Sequence, residues 1–484
     1  MTLSEAVAWL PWAAICLDRL AALAASVHAV VYKRDPRGAF AWVGIIWLVP
    51  GIGWILYVCF GINRIHRRAA SLRRRRKRIE ILSPATVCTE EELLGTLGEE
   101  RAHLAPLARV GDRVLDGRLL EGNSVRPLRN GDQAYPAMLE AIEGAERSVS
   151  LLAYIFEKDE VGDRFIDSLG KAAARGAEVR VLIDALGGGS TLRATGRALA
   201  AVNVRAARFL PLRTPFRTRY LNLRNHRKIL VVDGRAGFTG GMNVRASNLV
   251  SRGGARVEQD VHFRLDGPVV EHLQEAFVDD WAFTTGEVLL GDRWFPRIPG
   301  AGSVAARGIP FDPGETRDSL RWILVAAMGA ARRSIRIVTP YFLPDPALIA
   351  ALNVAALRGV EVDVLVPARN DSRVVQWAIA ATLWQVLTGG CRVWKTPAPF
   401  DHAKLMVVDG AWSFIGSANL DPRSLRLNFE FNVECFDRAL GGELEGIVLE
   451  RRKAASPVTL ADVDGRPFGV RVRDGLARLL TPYL

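Results

Sequence analysis

The chain has 484 residues, of which 49% are hydrophobic and 24% charged, and this length provides for two or three domains with their own cores. The formal net charge is +12, but nine Arg and Lys residues lie between Arg64 and Arg78, so the other 469 residues carry about +3 and argue against a nucleic-acid-binding surface. The five cysteines have no paired spacing, which argues against zinc ligands and disulfides and suits a reducing compartment.

The first apolar stretch runs from about Ala6 to Tyr32 and is interrupted by Asp18 and Arg19. Each charge costs about 3 kcal/mol at a bilayer centre unless it is paired, and adjacent residues do not share a helix face. A cleaved signal peptide is a weaker interpretation, because residues 1–5 contain an acid and no basic residue. We predict that this stretch is the first helix of a membrane hairpin.

The second apolar stretch, Gly38 to Gly61, has 24 residues and no charge. As one helix it is long enough to cross roughly 30 Å of hydrocarbon. Trp42 and Tyr57 lie towards its ends, as aromatic residues do at a membrane interface. Pro50 and the glycines also permit a kink or a re-entrant shape. We predict a second transmembrane helix, with a buried helix of a soluble protein as the alternative.

The basic residues around these stretches predict their orientation. Three lie in the short turn "KRDPRG" (33–38), and nine follow the second stretch. Because cytoplasmic loops carry an excess of Lys and Arg, residues 64–484 are expected in the cytoplasm. The prediction is therefore a multi-pass hairpin over 1–62 and a basic juxtamembrane arm and linker over 63–119.

From about residue 120 the chain alternates short apolar strands with helical stretches, and it does so twice. Residues 134–156 resemble 319–342, and "AARGAEVRVLIDA" (173–185) resembles "ALRGVEVDVLVPA" (356–368), in the same order. Chance likeness of ordinary α/β segments is the alternative. The pattern predicts an α/β fold with two duplicated domains, 120–290 and 291–484, each a sheet flanked by helices. A pseudo-two-fold axis would bring equivalent residues to one shared cleft.

The strongest repeat contains a His-x-Lys pair. Residues 225–234 are "NHRKILVVDG" and residues 401–410 are "DHAKLMVVDG". Alternate residues of a strand share a face, so His226 points with Lys228, and His402 with Lys404. Each histidine is followed 14 residues later by a turn of small residues, "GGMN" or "GSAN".

Two histidines, two lysines and two amide-rich turns predict a phosphate site. One imidazole can attack phosphorus while the other protonates the leaving oxygen, and the lysines can neutralise the phosphoryl oxygens. A carboxylate is needed to orient each histidine, and the candidates are Asp260 and Glu430. The candidate donors in the turns are Asn243, Ser417 and Asn419.

The motif has two alternative interpretations. A single His-x-Lys pair fits an ordinary half-buried strand, but two copies with matched turns do not. A metal site is also disfavoured, because lysines beside the histidines repel a dication and no His/carboxylate set has zinc spacing. We predict no metal and no cofactor.

At these residues the chain resembles the phospholipase D superfamily, whose members carry two such motifs in one active site. Longer stretches, together with the hairpin, narrow the resemblance to bacterial cardiolipin synthases over nearly the whole chain. These stretches include "GNSVRPLRNGDQAY", "NHRKILVVDGRAGFTGGMN", "TPYFLPD" and "HAKLMVVDGAWSFIGSANLDPRSLRLNFE".

The resemblance implies a membrane phosphatidyltransferase that converts two phosphatidylglycerol molecules into cardiolipin and glycerol through a phosphohistidine. It implies an inner-membrane location, anionic lipids as partners, His226 as nucleophile and His402 as acid/base, although near-symmetric halves could exchange these roles. The catalytic residues it implies are His226, Lys228, Asp233, His402, Lys404 and Asp409.

Other functions remain as alternatives. The segment "GIPFDPGETRDS" (308–319) and the Pro-rich approach "WKTPAPFDHAKL" depart from the family pattern and leave the acceptor alcohol open. Water as acceptor would make the protein a hydrolytic phospholipase D, and another alcohol would make it a different phosphatidyltransferase. A nucleic-acid phosphodiesterase is disfavoured by the nearly neutral body, and a non-catalytic scaffold by two intact motifs.

Overall fold

The structure is a computed structural model that describes residues 3–33, 36–61, 86–187, 191–211, 223–254, 256–313 and 318–481. The basic run between Arg64 and Arg78 lies outside the described residues, as does part of the turn between the two apolar stretches. The chain divides into two compact units, Met1–Arg68 and Ala69–Leu484, and each is described by itself.

The N-terminal unit contains one long helix and a broken second segment. Its elements are α1 (Leu3–Tyr32), α2 (Pro36–Leu48), α3 (Gly53–Leu56) and a π-helical turn (Tyr57–Gly61). Among the described residues, one helix, over Trp12–Tyr32, is long and apolar enough to cross a membrane. The prediction of a continuous helix over the second stretch is wrong. Its helix ends at Leu48 because Pro50 has no N–H to donate and Gly51 takes φ +81°.

The C-terminal unit is built on a 16-stranded mixed sheet and a separate sheet of two short strands. Its strands are β1 (Leu120–Arg129), β2 (Ser148–Ala153), β3 (Glu178–Asp184), β4 (Arg205–Phe209), β5 (Arg224–Asn225), β6 (Ile229–Val232), β7 (Ala236–Gly240), β8 (Glu258–Gln259), β9 (Val261–Asp266), β10 (Val304–Phe311), β11 (Ser334–Val338), β12 (Glu361–Pro367), β13 (Arg392–Thr396), β14 (Phe400–Asp401), β15 (Leu405–Val408), β16 (Trp412–Gly416), β17 (Asn428–Phe436) and β18 (Ser456–Val458).

The strand order repeats, which confirms the predicted duplication. From the centre outward the first half runs β1-β9-β7-β6-β2-β3-β4, and the second runs β10-β17-β16-β15-β11-β12-β13, followed by β18. The two halves join through antiparallel pairing of β1 with β10. In each half the first two parallel strands, β2 with β3 and β11 with β12, are buried on both faces, as their continuous apolar sequences predict.

Helices cover the sheet and complete the α/β class predicted from the sequence. They are α4 (Glu90–Leu97), α5 (Pro106–Val114), α6 (Asn130–Glu143), α7 (Glu160–Ala174), α8 (Leu192–Ala201), α9 (Val270–Thr285), α10 (Ser319–Ala330), α11 (Pro346–Leu357), α12 (Arg373–Ala380), α13 (Trp384–Leu387), α14 (Pro422–Arg426), α15 (Arg438–Lys453), α16 (Leu460–Asp464) and α17 (Phe468–Leu479). Three buried apolar clusters pack beneath them, and one of these contains residues of both halves. The halves therefore share a core as well as a sheet.

Two short strands cross between the halves and position the site. β5, directly before the first His-x-Lys motif, pairs in parallel with β17 of the second half. β14, directly before the second motif, pairs in parallel with β8 of the first half. Each motif therefore enters the junction on a strand that is held by the opposite half.

Candidate active site

His226 is oriented by groups of the second half. Its backbone N–H donates to the Phe429 carbonyl at 2.8 Å. Its Nδ1 lies 3.0 and 3.1 Å from the two carboxylate oxygens of Glu430, which is fully buried. With Nδ1 engaged in this way, Nε2 is the ring nitrogen left for a substrate.

His402 has the same arrangement with the halves exchanged. Its backbone N–H donates to the Gln259 carbonyl at 2.8 Å, and its Nδ1 lies 3.0 Å from an Asp260 carboxylate oxygen. The structure therefore places both predicted carboxylates on the predicted histidines. It adds that each carboxylate comes from the half that does not carry its histidine.

The two motif lysines are buried beside the histidines. Lys228 Nζ donates to the His226 carbonyl at 2.7 Å, and Lys404 Nζ donates to the His402 carbonyl at 2.5 Å. Both side chains are at most 4% exposed. These contacts tie each ammonium group to the backbone of its own histidine and concentrate positive charge at the junction.

Burial makes the imidazoles neutral in this structure. It lowers the pKa of His226 to about 4, against the opposing attraction of Glu430. It also lowers the pKa of His402 well below its usual value, and the charges of Lys404 and Lys228 lower it further. Burial likewise lowers the pKa of Lys404 to about 8 and that of Lys228 well below its ordinary range. An anionic phosphodiester entering the site would raise all four pKa values.

The two carboxylates have different environments. Burial raises the pKa of Asp260 to about 7, although the Lys404 charge opposes this. Burial also acts to raise the pKa of Glu430, but the His226 imidazole at its carboxylate, the Lys228 charge and the Ser417 hydroxyl outweigh that effect and lower it. Ser417 Oγ donates to Glu430 at 2.5 Å, and Asn428 Nδ2 donates at 3.1 Å. Glu430 is therefore held ionised.

The small-residue turns lie directly against these carboxylates. Gly240 and Gly416 take φ +147° and +148°, and a Cβ there would lie 2.7 Å from His262 Nδ1 or 2.5 Å from the Phe431 carbonyl. Glycine is required at both positions because the turn packs on the next strand. Where the second half has Ser417, the first has Gly241, whose Cβ would lie 2.4 Å from an Asp260 oxygen.

The predicted turn amides have separate surroundings. Asn243 Oδ1 accepts the Ile155 N–H at 3.1 Å, which joins its turn to the end of β2. Asn419 is buried in the equivalent position, and its Oδ1 has no partner among the residues that the structure describes. Ser417 is engaged with Glu430, so its contact is with the carboxylate.

Asp233 and Asp409 lie at the far ends of the motif strands. Each is separated from the lysine of its motif by the four residues of β6 or β15, a distance of roughly 16 Å. The Asp233 carboxylate accepts three backbone N–H groups, of residues 146–148, and the Asp409 carboxylate accepts those of residues 332–334. Asp409 also lies 2.6 Å from His103 Nε2. The structure brings neither aspartate to His226 or His402.

Three further side chains line the site. The Tyr154 ring lies edge-on to His226 at 5.1 Å between centroids, and the Tyr341 ring lies edge-on to His402 at 6.5 Å. Arg227 is buried, and it donates to the Glu430 carbonyl at 3.0 Å and to Asp280 at 2.7 Å. None of these residues was predicted from the sequence. Tyr154 follows β2 directly and Tyr341 lies three residues after β11, so the two tyrosines do not occupy matched positions of the repeat.

No group of three or more His, Cys, Asp or Glu side chains is arranged to hold a metal ion in the part of the chain that the structure describes. The site is instead a symmetric pair of His–carboxylate couples flanked by two lysines. A duplicated α/β fold that brings such a pair to one junction defines a phospholipase D-type phosphoryl-transfer protein.

Comparison with known proteins narrows this class. The family model described as "Cardiolipin synthase, PLD-like domain" matches residues 138–281 and 324–450, and one described as "Phospholipase_D-nuclease N-terminal" matches residues 20–61. The chain therefore belongs to the bacterial cardiolipin synthase family of the phospholipase D superfamily. This confirms the predicted family and enzyme class, a phosphatidyltransferase of the phospholipase D type.

Individual relatives agree over nearly the full length. The chain is 32% identical to a cardiolipin synthase of Geobacillus thermodenitrificans, covering 93% of this chain and 90% of that protein. It is 31% identical to cardiolipin synthase A of Pseudomonas entomophila, covering 97% and 98%. Among solved structures, a phosphatidylserine synthase of Haemophilus influenzae shares the fold, with a TM-score of 0.58 and 15% identity over 78% of this chain and 100% of that one.

Proposed function

We propose that the protein is a cardiolipin synthase that transfers a phosphatidyl group from one phosphatidylglycerol to another and releases glycerol. One observation carries the chemistry: each motif histidine has its Nδ1 on a buried carboxylate of the opposite half. A pair of imidazoles oriented in this way supplies a nucleophile and a proton carrier at one phosphorus atom. The full-length relatives support phosphatidylglycerol as the substrate.

In the proposed first step, Nε2 of His226 attacks phosphorus and the bond from phosphorus to the glycerol oxygen breaks. His402 gives its proton to that oxygen, and glycerol leaves. His402 then takes the proton of a hydroxyl group on the second phosphatidylglycerol, whose oxygen attacks phosphorus as the phosphorus–nitrogen bond breaks. The cycle closes with both histidines in their starting states. Lys228 and Lys404 neutralise the phosphoryl oxygens throughout.

The assignment of His226 as nucleophile is supported by its carboxylate. A nucleophilic imidazole must begin neutral and become positively charged when it bonds to phosphorus. Burial supplies the neutral form, and ionised Glu430 stabilises the charge that develops. His402 must instead gain a proton, and the arriving phosphodiester anion raises its pKa for that purpose. Asp260, whose pKa is about 7, is the more weakly charged partner.

Asp233, Asp409 and the turn residues have supporting roles in this proposal. The two aspartates fix the far ends of the motif strands through backbone N–H groups. Ser417 keeps Glu430 in place, and Asn243 and Asn419 shape the turns beside the phosphate. We retain the domain limits 120–290 and 291–484 as part of the proposal.

The substrate is a membrane lipid, and the location proposed for the protein follows from that. Large apolar side chains of α1 are exposed, including Leu17 at 71%, Leu20 at 66% and Val30 at 66%. Exposed apolar surface of this extent on one helix suits lipid rather than water. We propose that the N-terminal unit lies in the bacterial inner membrane and that residues 64–484 face the cytoplasm, with anionic lipid attracted to the basic arm.

The test is incubation of the purified full chain with labelled phosphatidylglycerol in mixed micelles, without added metal, followed by lipid analysis. Cardiolipin with an equal amount of free glycerol is expected. Phosphatidic acid in place of cardiolipin would show water as the acceptor and make the protein a hydrolytic phospholipase D. A product formed only with an added alcohol would identify a phosphatidyltransferase with that acceptor. Either result would overturn the cardiolipin assignment.

A further inference from the structure

The apolar segment Pro36–Gly61 reverses its direction within the N-terminal unit. After the break, Gly53 packs against the end of α2, where a Cβ on Gly53 would lie 2.4 Å from the Ile45 carbonyl oxygen. Four residues further on, the Tyr57 ring lies 5.5 Å from the ring of Trp42. Residues further along the chain after the break therefore contact residues nearer the start of α2. The two limbs run antiparallel, and the segment ends level with its start.

Contacts with α1 agree with this path. Tyr57, which is 1% exposed, shares a hydrogen bond of 2.7 Å between its hydroxyl and His28 Nδ1. α1 ends at Tyr32 and α2 begins at Pro36, so His28 lies near the end of α1 from which α2 starts. Had the segment continued straight upward after the break, Tyr57 would lie near the N-terminal half of α1 instead. The returning limb thus reaches the level at which the segment entered.

The tip of the reversal is satisfied by a charged residue of α1. Asp18 Oδ1 accepts the Gly51 N–H at 3.1 Å and the Trp54 indole N–H at 2.9 Å. The other backbone N–H groups from Val49 to Gly53 donate to the carbonyls of Ile45 or Val49, and Pro50 has none. Backbone that leaves a helix within hydrocarbon must find partners inside the protein, because no water is present. Asp18 provides that partner.

The length of α2 fits a partial insertion. Its 13 residues rise about 20 Å, less than the roughly 30 Å of bilayer hydrocarbon. Phe40 and Leu48, near the two ends of α2, are each 83% exposed. An element of this length with exposed apolar side chains fits the acyl chains of one leaflet and part of the next. It does not reach the opposite surface.

We propose that residues 36–61 form a re-entrant helical hairpin that enters and leaves the bilayer on one side, so that α1 alone crosses it among the described residues. The N-terminus then lies on the side of the bilayer opposite the one at which residues 36–61 enter and leave. The sequence charges support this, since Lys33, Arg34 and Arg37 fall on the same side as the run between Arg64 and Arg78. Two crossings would place those three residues outside, against the positive-inside bias. The inference rests on the proposed membrane location and is independent of the reaction.

The experiment maps sidedness with single cysteines in the full chain. The five native cysteines are replaced by serine, and cardiolipin formation by this background verifies the fold. Ser4→Cys, Asp35→Cys and Ala454→Cys are then introduced separately; none of them removes a basic residue. Intact spheroplasts are treated with a membrane-impermeant maleimide before and after permeabilisation.

A re-entrant segment predicts that Ser4→Cys is labelled from outside, and that Asp35→Cys and Ala454→Cys are labelled only after permeabilisation. Two crossings predict the reverse for the first two positions, and that pattern would overturn the proposal. Release of the full chain from membranes by alkaline carbonate would overturn the membrane location, and the topology with it. Loss of cardiolipin formation with unchanged labelling would affect the proposed reaction alone.

The role of Asp18 has its own test. Asp18→Asn keeps an oxygen for the Gly51 N–H, whereas Asp18→Ala removes it. If Asp18 were only a charge misplaced in an apolar helix, both changes would stabilise the protein equally. In detergent, we expect the Asp18→Ala variant to unfold at a lower temperature than the Asp18→Asn variant. A cysteine introduced at Ile52 should be more reactive in the Asp18→Ala variant than in the Asp18→Asn variant. Equal melting temperatures and equal reactivity would overturn the assignment of Asp18 to the tip.

Discussion

Replacing Glu430 with Gln is expected to slow the first chemical step most. The substitution keeps the size of the side chain and removes the charge that faces His226 Nδ1 at 3.0 Å. A hydrogen bond to a charged group contributes about 1.5–3 kcal/mol, which corresponds to about a 10- to 150-fold loss of rate if it acts only as the imidazole becomes charged. We expect a loss of rate within this range, because Glu430 is fully buried and water cannot replace its carboxylate.

The assay is rapid-quench measurement of glycerol release from labelled phosphatidylglycerol, which isolates formation of the histidine intermediate. The matched control is Asp260→Asn in the opposite couple. Because the pKa of Asp260 is about 7, its carboxyl is largely protonated at pH 6, so the control should lose much less activity at pH 6 than at pH 8. Glu430→Gln should lose activity at both pH values, since the pKa of Glu430 is lowered.

Two results would contradict this role of Glu430. Glycerol release by Glu430→Gln at more than half the unmodified rate would show that the charge does not assist His226. A larger loss in Asp260→Asn than in Glu430→Gln, in the glycerol-release step, would indicate that His402 is the nucleophile. Melting temperatures of both variants within a few degrees of the unmodified protein would show that the comparison concerns chemistry, because Ser417 and Asn428 also bond to Glu430.

Three further outcomes are expected. His226→Ala and His402→Ala should each abolish turnover, because neither half holds both a nucleophile and an acid. Residual cardiolipin formation above a few per cent in either variant would contradict a shared site. Asp260 should contribute a fall in stability as pH rises from about 4 to 7, of at most about 1.4 kcal/mol per pH unit, because its folded carboxyl holds a proton that the unfolded chain has lost. The lowered pKa values of His226 and His402 contribute the opposite slope, so the measurement is the difference in denaturant unfolding between the unmodified protein and Asp260→Asn; the same pH dependence in both would count against the prediction. Asp409→Ala should lower the free energy of unfolding by about 3 kcal/mol, because three backbone N–H groups lose their acceptor. A decrease below about 1 kcal/mol in chemical denaturation would contradict this structural role of Asp409.

Several features were predictable because they are written as local patterns. The duplication is visible as an ordered repeat, and the His-x-Lys pairs and small-residue turns recur at fixed spacing. Asp260 and Glu430 could be selected because each lies downstream of the motif of its own half, Asp260 directly before β9 and Glu430 within β17. Patterns of this kind can be read from the sequence, since strands and turns are set by residues only a few positions apart.

Other features depended on residues distant in the chain. Glu430 lies 204 residues from His226, and Asp260 lies 142 residues from His402, so the exchange of partners between halves is invisible to spacing. The motif aspartates were predicted with the histidines because they share a motif, yet a strand carries them to its far end. Arg227 could not be selected, because its partners Asp280 and Asp312 are brought to it only by folding.

The N-terminal unit shows the same division. Two apolar stretches, the charged residues Asp18 and Arg19 in the first, and the breaking residue Pro50 in the second can all be read from the sequence. The reversal of the chain at Pro50 cannot, because the free-energy cost of exposed backbone at a break depends on whether folding places a hydrogen-bond acceptor beside it. Asp18 lies at that position, 33 residues from Gly51 in the sequence. Its charge is unfavourable in an apolar helix taken alone, but in the fold its carboxylate accepts the Gly51 N–H. In the C-terminal unit likewise, the two histidines and two carboxylates could be selected from the sequence, whereas their pairing depends on the junction of the two halves.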